Sequence, residues 1–404
     1  MKKLELSRNK ISWKNSGSSI FLVFNSFVWF IFTYIVLGDI ITEKITQNEL
    51  ILYSAFFISV SISALIGAKL FPKVRIKAIE AWIILGSIST ATLFIFSPSN
   101  FLINTIIVVI LGISVGAGFP SYLSFFAENT KIENRGFTGG IIWSLVGICV
   151  LGFAALYMNF DMLQMVTLLT IWRFFGWVGF KSLNKNRQEI DVQKAPSYLE
   201  LLTDRKILLY LFPWIMFTII NFAETPIVQE LFGSEFLLMQ LVTWFFVGVF
   251  AVIGGYLADI VGRKKVVIAG FIMLGLEYAA LSVFSASNIT LYSYAILDGI
   301  SWGLLFSVFF MSLWGDLGQY HIKEKYYVLG GLPYLLANFL YVLINPIVPY
   351  IDDPSIAFTF ASFFLFLAIL PLVYAPETLP EKKIRERELK NYVVKAQKIR
   401  EKYS

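Results

Sequence analysis

Four charged residues stand well inside long apolar runs of this 404-residue chain, namely Arg173, Glu224, Glu277 and Asp298, and Glu80 lies near one end of another run. A charged side chain at the centre of a lipid bilayer costs at least about 2.5–3.5 kcal/mol, so residues of this kind usually have a functional role. Asp298 is the strongest candidate, because a carboxyl group shielded from water favours its protonated form and can carry a proton. We therefore predict that Asp298 is a proton carrier, with a structural hydrogen bond as the alternative.

The other three charges allow two interpretations each. Glu224 comes late in its run, so it is a second acid or an outer gate, or else its side chain extends to the membrane surface. We expect Glu277 to have a structural partner, either Tyr278 or a residue of a neighbouring helix. We expect the Arg173 side chain to extend to water at the nearer end of its helix, and pairing with an anionic substrate is the alternative.

Uncharged side chains in the apolar runs supply further candidates for a binding cavity. Amides hydrogen-bond hydroxyl groups, and indole faces stack on sugar rings. Aromatic residues make up 17% of the chain, so packing or lipid contact is the alternative for each aromatic candidate. The candidates are Asn25, Trp29, Tyr122, Asn221, Trp302 and Asn338.

The elements that carry these residues are predicted to be membrane-spanning helices. The chain is 57% hydrophobic and only 15% charged, whereas soluble domains carry about 25% charged residues. A helix needs about 20 apolar residues to cross the hydrocarbon core. Twelve runs are long enough, at 18–38, 50–68, 78–97, 101–126, 136–158, 162–180, 207–229, 236–258, 266–286, 289–315, 326–350 and 355–375.

The basic residues predict the orientation of the chain. With loops assigned alternately to two sides, all lysines and arginines but two fall on the side that holds both termini. The two exceptions are Lys44, in a loop on the opposite side, and Arg173, inside a span. Cytoplasmic loops carry this excess, so we predict a multi-pass protein of the cell membrane with both termini in the cytoplasm. The positive charge is then a topology signal, and no nucleic-acid partner is expected.

The longest interior connection divides the chain into two sets of six spans. We predict an N-terminal six-helix bundle at 1–180, a cytoplasmic loop at 181–206, a C-terminal six-helix bundle at 207–375 and a cytoplasmic tail at 376–404. A short amphipathic helix is expected to begin after Pro196 in the loop, and a charged helix is expected from Glu381 to Lys402 in the tail.

Three loop motifs resemble those of the major facilitator superfamily. The stretch "GYLADIVGRKK", from Gly255 to Lys265, looks like its loop signature, and "AENTKIENRG" and "APETLPEKK" look like marks of its sugar-porter and metabolite–proton symporter branches. The resemblance implies an all-α protein of two six-helix bundles, with helices 1, 4, 7 and 10 around a central cavity. The first half carries a related stretch, "GAKLFPKVRIK", in which Phe71 stands where the second half has Asp259.

Charged residues at the helix ends are predicted to form a cytoplasmic gate. Opposite charges there can pair when the cytoplasmic side closes, each exposed pair contributing about 0–1 kcal/mol, with headgroup anchoring as the alternative. The resemblance implies that Asp259 approaches helix 11 in the closed state. Because Phe71 supplies no acid, we expect this latch to be held by the second half alone. The predicted gate residues are Asp259, Arg263, Arg75, Glu128, Arg135, Asp316 and Glu377.

No enzyme or cofactor motif accompanies these features. Cys149 is the sole cysteine, and the G-x-S-x-G pattern around Ser114 lacks the strand–turn–helix context of a nucleophile. We therefore predict no enzymatic activity, no cofactor and no metal. The predicted function is secondary active transport of a small polar metabolite, a sugar or an organic acid, by a monomer in the lipid bilayer with proton symport. The alternatives are a proton-coupled exporter of amphipathic compounds, and a non-transporting receptor that signals through its tail.

Overall fold

A computed structural model describes residues 13–44, 48–184, 196–284, 287–318 and 322–379, together with 389 and 393. Every regular element in these residues is helical. The α-helices are α1 (Trp13–Lys44), α2 (Glu49–Leu70), α3 (Arg75–Ala91), α4 (Phe101–Asn129), α5 (Arg135–Tyr157), α6 (Met162–Leu183), α7 (Tyr198–Thr203), α8 (Arg205–Phe232), α9 (Phe236–Val261), α10 (Arg263–Phe284), α11 (Asn288–Leu305), α12 (Trp314–Leu317), α13 (Glu324–Ile344), α14 (Pro354–Leu367) and α15 (Ile369–Tyr374).

Each predicted apolar run contains helix. Runs one to six correspond to α1–α6, runs seven to nine to α8–α10, run ten to α11 with α12, run eleven to α13, and run twelve to α14 with α15. Within the described residues, ten stretches are long and apolar enough to cross a membrane, and two of them, Glu49–Ile95 and Arg205–Val261, each contain two long helices. The count of twelve spans and the cytoplasmic termini stay predictions.

The structure differs from the predicted runs at two points. Helix α13 ends at Ile344 rather than at 350, because Pro346 lacks the N–H group that would continue the helical hydrogen bonds. A π-helical segment, Phe306–Leu313, joins α11 to α12. The short helix after Pro196 is confirmed as α7, where Ser197 and Glu200 form a capping box. Apart from Leu389 and Val393, which are helical, the predicted tail helix lies outside the described residues.

The long helices form two groups, α1–α6 and α8–α11 with α13–α15, and most of them pack mainly within their own group. Helix α5 is an exception because it packs mainly on α9, and α13 packs on α2 and α4 as well as on α8. We call these two groups the first and second halves. The halves meet along two seams, α5 against α9 and α2 against α13. Glycines permit close approach at the first seam: a Cβ added at Gly140 would collide with the Ala251 carbonyl, and one at Gly255 with the Gly136 carbonyl. Small residues at helix interfaces allow such backbone contact in membrane proteins.

Aromatic side chains fill the middle of the bundle between the halves. Trp143 of α5 stacks on Phe306 of the π-helical segment, with ring centroids 4.0 Å apart. Phe27 of α1 contacts the same Trp143 ring at 4.6 Å, and Phe310 contacts Phe27 at 5.7 Å. The π-helical segment therefore turns two phenylalanines towards the first half. Segments of this type are frequent at functional sites.

Candidate functional site

One end of the bundle carries the connections α2–α3, α4–α5, α9–α10 and α12–α13, and we call it the basic face. Its first feature is the Arg263 cluster, formed by Asp259, Arg263, Asp316 and Arg135. The Arg263 guanidinium donates to the Asp259 carboxylate and, through Nε, to Asp316 Oδ2 at 3.1 Å. Arg135 of the first half donates to the other Asp316 oxygen. A single buried carboxylate thus lies between two buried guanidinium groups and joins the halves.

Asp259 also contacts the start of α5. Its carboxylate accepts hydrogen bonds from the backbone N–H groups of Gly136, at 3.0 Å, and Phe137, at 2.7 Å. The first N–H groups of a helix have no partner within the helix and carry partial positive charge, so a carboxylate is well placed there. The expected approach of Asp259 to the eleventh run, which is α13 in the structure, is wrong. The contact between Gly255 and Gly136 brings the end of α9 against α5 instead.

The second feature of the basic face is the Arg75 cluster, formed by Arg75, Glu128 and Glu324. Arg75, at the start of α3, donates to Glu128 at the end of α4 and forms an ion pair with Glu324 Oε1 at 2.6 Å. Glu324 is the first residue of α13 in the second half, and its side chain is 0% exposed. The expectation that the second half alone holds the contact is therefore wrong, since Arg75 of the first half also bridges the two.

Burial changes the energetics expected for these pairs. The paired side chains are at most 14% exposed, so the small contribution of exposed ion pairs does not describe them. Removing one partner of a buried pair costs about 3–5 kcal/mol, because the remaining charge is left without compensation. Burial also lowers the pKa of Lys323, which lies beside Glu128 and Arg135.

Glu377 has a different role from the other predicted gate residues. Its carboxylate accepts from the backbone N–H groups of Arg263, at 2.8 Å, and Lys264, at 3.2 Å. It therefore caps the start of α10 and ties the end of the last helix to its own half. Lys264 strengthens this attachment by donating through Nζ to the Ala375 carbonyl at 3.0 Å.

A small cavity of about 10 Å³ lies between the halves, above the basic face. Two predicted candidates, Trp29 and Tyr122, line it, and the Trp82 ring stacks on Tyr122 with centroids 5.3 Å apart. The volume is about that of one water molecule, so the cavity has no room for a metabolite in this conformation. Both halves contribute to its lining, which comprises Ser26, Phe27, Trp29, Phe30, Trp82, Val115, Phe119, Tyr122, Phe310, Tyr334 and Leu335.

The remaining uncharged candidates lie around this cavity rather than on its wall. Trp302 packs on Phe217 at 4.6 Å and on Tyr334 at 5.9 Å. Asn338 donates to the Tyr334 carbonyl at 3.0 Å, one helical turn away. Asn221 of α8 is 8% exposed, and its side-chain oxygen accepts no hydrogen bond from the described residues.

The three acids predicted within the spans of the second half, Glu224, Glu277 and Asp298, all lie near Tyr278. Asp298 of α11 faces Glu277 of α10, near enough for a hydrogen bond between the two side chains. Tyr278 and Tyr294 border this pair, and Glu224 of α8 lies near Tyr278. Asp298 is thus placed between helices of its own half and is not on the wall of the central cavity. Glu277 was expected to pair with Tyr278 or with a residue of a neighbouring helix, and its partner is Asp298 of the neighbouring α11.

One donor among the described residues, the Trp302 indole N–H, reaches Asp298, and the rest of this acid pair has none. Both carboxyl oxygens of Glu277 and Oδ1 of Asp298 are buried without a hydrogen-bond donor, and so is Oε2 of Glu224. Two facing carboxyl groups in an apolar interior cannot both be ionised at low cost, whereas one shared proton supplies the missing donor. The arrangement is chemically suited to bind and release a proton.

Arg173 does not extend to water as expected. Its side chain is fully buried between α1 and α3, where Nη1 donates to Asn25 Oδ1 at 3.1 Å and to Ser26 Oγ at 2.9 Å. The guanidinium lies 4.4 Å from the Trp29 ring and 4.1 Å from the Trp82 ring. Sequence analysis missed Trp82, because the rotation of α3 about its axis decides which ring faces inward.

At the second seam, α2, α8 and α13 border an apolar groove. Its volume is about 690 Å³, and α7 contributes Tyr198 and Leu202 to its lining. Leu65 of α2 faces it from the first half, while Leu211 of α8 and Leu336 of α13 face it from the second. Burial raises the pKa of Tyr198 to about 12. Unlike the glycine-lined seam between α5 and α9, this seam leaves room between the halves.

Comparison with known proteins identifies the fold. No protein-family model and no curated protein sequence matches the chain. The E. coli fucose:proton symporter FucP superposes with a TM-score of 0.66 at 12% identity, over 89% of this chain and 98% of that chain. The proton:xylose symporter XylE, bound to 6-bromo-6-deoxy-D-glucose, gives a TM-score of 0.65 at 16% identity, over 91% and 97%. The predicted resemblance is confirmed: the chain has the fold of major facilitator superfamily transporters.

Proposed function

We propose that this chain is a secondary active transporter that moves a small polar metabolite by alternating access, coupled to protons. The observation that carries the proposal is the pair of ion clusters that join two halves of a transporter fold beneath a small cavity. Separation of the halves at the basic face would break both clusters and open the cavity to that side. The basic face is proposed to be cytoplasmic, with 1–180 and 207–375 as the two moving bundles.

Proton coupling is assigned to Asp298 with Glu277 as its partner. The two carboxyl groups face each other in the interior of the second half without a compensating cation among the described residues, and the Trp302 indole donates to Asp298 only. A proton bound there would stabilise the packing of α10 against α11, and its release would destabilise that packing. The proton site can therefore favour one arrangement of the second half over another, which is what coupling requires.

The substrate class follows the lining of the cavity and the two transporters of similar fold. Sugars and organic acids both fit walls of indole and phenol rings with the Ser26 and Tyr122 hydroxyls among them. Export of amphipathic compounds is the second candidate, and the apolar groove between α2, α8 and α13 favours it. A groove of that volume between the halves would admit an apolar molecule directly from the bilayer.

Reconstitution in proteoliposomes tests the proposal. The full chain is supplied with D-xylose, L-fucose, L-lactate or succinate, with and without an inside-alkaline pH gradient. We expect gradient-driven accumulation of at least one compound, loss of that accumulation in Asp298→Asn, and retained exchange of labelled for unlabelled substrate. Glu235→Gln, an exposed acid in a connection between helices, is the matched control and should behave like the parent protein. Full accumulation by Asp298→Asn would overturn the proton assignment, and absence of flux for every compound would overturn transport of polar metabolites.

A further inference from the structure

Arg173 is the exception among the buried arginines in the described part of the chain. Arg75, Arg135 and Arg263 each donate to at least one carboxylate. The fourth, Arg173, is 0% exposed and forms no ion pair with a described residue. Arginine stays protonated in proteins, and charged side chains are seldom fully buried unless they are paired. The fold thus buries a permanent positive charge without the anion that normally accompanies it.

The hydrogen bonds of Arg173 are also incomplete. A guanidinium has five N–H donors, yet only Nη1 reaches acceptors, namely Asn25 Oδ1 and Ser26 Oγ. Nε and Nη2 are buried without a partner among the described residues. The rings of Trp29 and Trp82 lie over the cation, and such cation–π contacts compensate part of the lost hydration. They leave the two nitrogens without acceptors.

The guanidinium lies directly behind the wall of the central cavity. Ser26, Trp29, Trp82 and Tyr122 all line the cavity, and the first three also contact Arg173. The indole N–H groups of both tryptophans are already bound, Trp29 to Thr90 and Trp82 to the Ser114 carbonyl. One layer of side chains therefore separates the charge from any molecule in the cavity. Ser26 lies between the two: its hydroxyl accepts from Arg173 and donates to the Leu22 carbonyl at 2.7 Å, a bond that it would exchange for one to a bound carboxylate.

We infer that the substrate of the proposed transporter is a monocarboxylate, whose carboxylate binds at the Ser26 end of the cavity as the counter-ion of Arg173. This inference rests on the proposed function and narrows its substrate class from sugars and organic acids to organic acids. Electrostatic attraction is strong in an apolar interior, so one cation behind the wall discriminates an anion from a neutral molecule. A single cation and apolar walls fit one negative charge better than two.

Binding to the detergent-purified full chain tests the inference without any transport. The shift of thermal unfolding is measured with L-lactate and its neutral amide lactamide, and with propionate and propionamide, at matched ionic strength. We expect at least one acid to stabilise the protein at a concentration at least tenfold lower than its amide. Equal effects of acid and amide, or tighter binding of D-xylose or inorganic phosphate, would overturn the inference.

Three variants identify the group responsible. Arg173→Met should abolish the preference for acid over amide, Arg173→Lys should retain most of it, and Ser26→Ala should weaken acid binding several-fold without affecting the amide. If Arg173→Met does not fold, Ser26→Ala and Arg173→Lys still decide the outcome. Unchanged acid preference in both Arg173→Met and Ser26→Ala would overturn the site. Carboxylate binding without flux in proteoliposomes would overturn transport alone, whereas sugar flux without carboxylate preference would overturn only the anion site.

Discussion

The two ion clusters of the basic face arise from equivalent positions in the two halves, yet their acids come from different places. Arg75 begins α3 and Arg263 begins α10, and each binds an acid at the end of the fourth long helix of its own half, Glu128 or Asp316. Asp259 precedes Arg263 by four residues, and Phe71 occupies the matching position before Arg75. In the Arg75 cluster the second carboxylate is Glu324, which belongs to the opposite half.

The difference shows that an acid missing from one half can be supplied by the other. Asp259 binds the arginine of its own half and reaches across to the N–H groups of α5. Glu324 makes the crossing contact itself by pairing with Arg75. Both arrangements neutralise a buried guanidinium and join the halves. They differ in that the Arg263 cluster has a further ion pair across the seam, from Arg135 to Asp316.

The seams at which the two clusters lie also differ, in how closely the helices of the two halves approach each other. The Arg263 cluster lies at the end of the α5–α9 seam, where Gly136 and Gly255 bring the backbones into contact. The Arg75 cluster lies at the end of the α2–α13 seam, which the apolar groove keeps more open. We infer that the Arg263 cluster contributes more of the free energy that keeps the basic face closed.

Asp316→Asn should produce the largest effect, because it leaves both Arg135 and Arg263 with less compensation. We expect it to disfavour the closed state by about 3–5 kcal/mol, a shift of at least a hundredfold in the closed-to-open ratio. The measurement is labelling of Met311→Cys by a membrane-impermeant maleimide in a Cys149→Ser background. Met311 is buried against Gly139 of α5, so labelling reports separation of the halves.

Glu128→Gln is the matched control for this prediction. Glu128 occupies the equivalent position in the first half but pairs with one arginine, and that arginine keeps Glu324. Its effect on labelling should be at least tenfold smaller than that of Asp316→Asn. Equal labelling in the two variants would mean that the clusters contribute equally, and parent-like labelling in Asp316→Asn would exclude the cluster from closure.

The long helices and the residues of the basic face were predictable, whereas their partners were not. Apolar runs are set by the thickness of the membrane, so their positions follow from composition along the chain. The loop motif marked Asp259 and Arg263, but the helix that Asp259 faces depends on the packing of α9 on α5. Glu324 was overlooked because it stands between Lys323 and Lys325, whose charges were read as a topology signal.

For the charged residues inside the helices, too, the positions were predictable from the sequence but the partners were not. Arg173 was expected to reach water, an expectation that assumes lipid around the side chain. The rotation of α6 instead points it at α1 and α3, and sequence spacing within one helix does not give that rotation. For the same reason the pairing of Glu277 with Asp298 became visible only once α10 and α11 were placed side by side.

Asp259→Asn is expected to have the second-largest effect on the basic face. The amide keeps one acceptor oxygen for the N–H groups of α5 but loses the charge that faces Arg263 and the start of the helix. Hydrogen bonds to charged groups contribute about 1.5–3 kcal/mol, so labelling of Met311→Cys should rise about tenfold to a hundredfold. Lys265→Gln, an exposed basic residue of the same segment, is the control. If the two variants label alike, Asp259 does not hold the halves together.

Glu324→Gln combined with Phe71→Asp tests the comparison itself, with the smallest expected effect. Glu324→Gln alone should raise labelling about fivefold, equivalent to about 1 kcal/mol, because Arg75 keeps Glu128. Adding Phe71→Asp places an acid four residues before Arg75, the spacing at which Asp259 binds Arg263. If the two clusters are equivalent, this second change should return labelling most of the way to the parent rate. Phe71→Asp alone should leave labelling unchanged. Failure of the rescue would mean that the contact across the α2–α13 seam, and not neutralisation of Arg75, is what Glu324 provides.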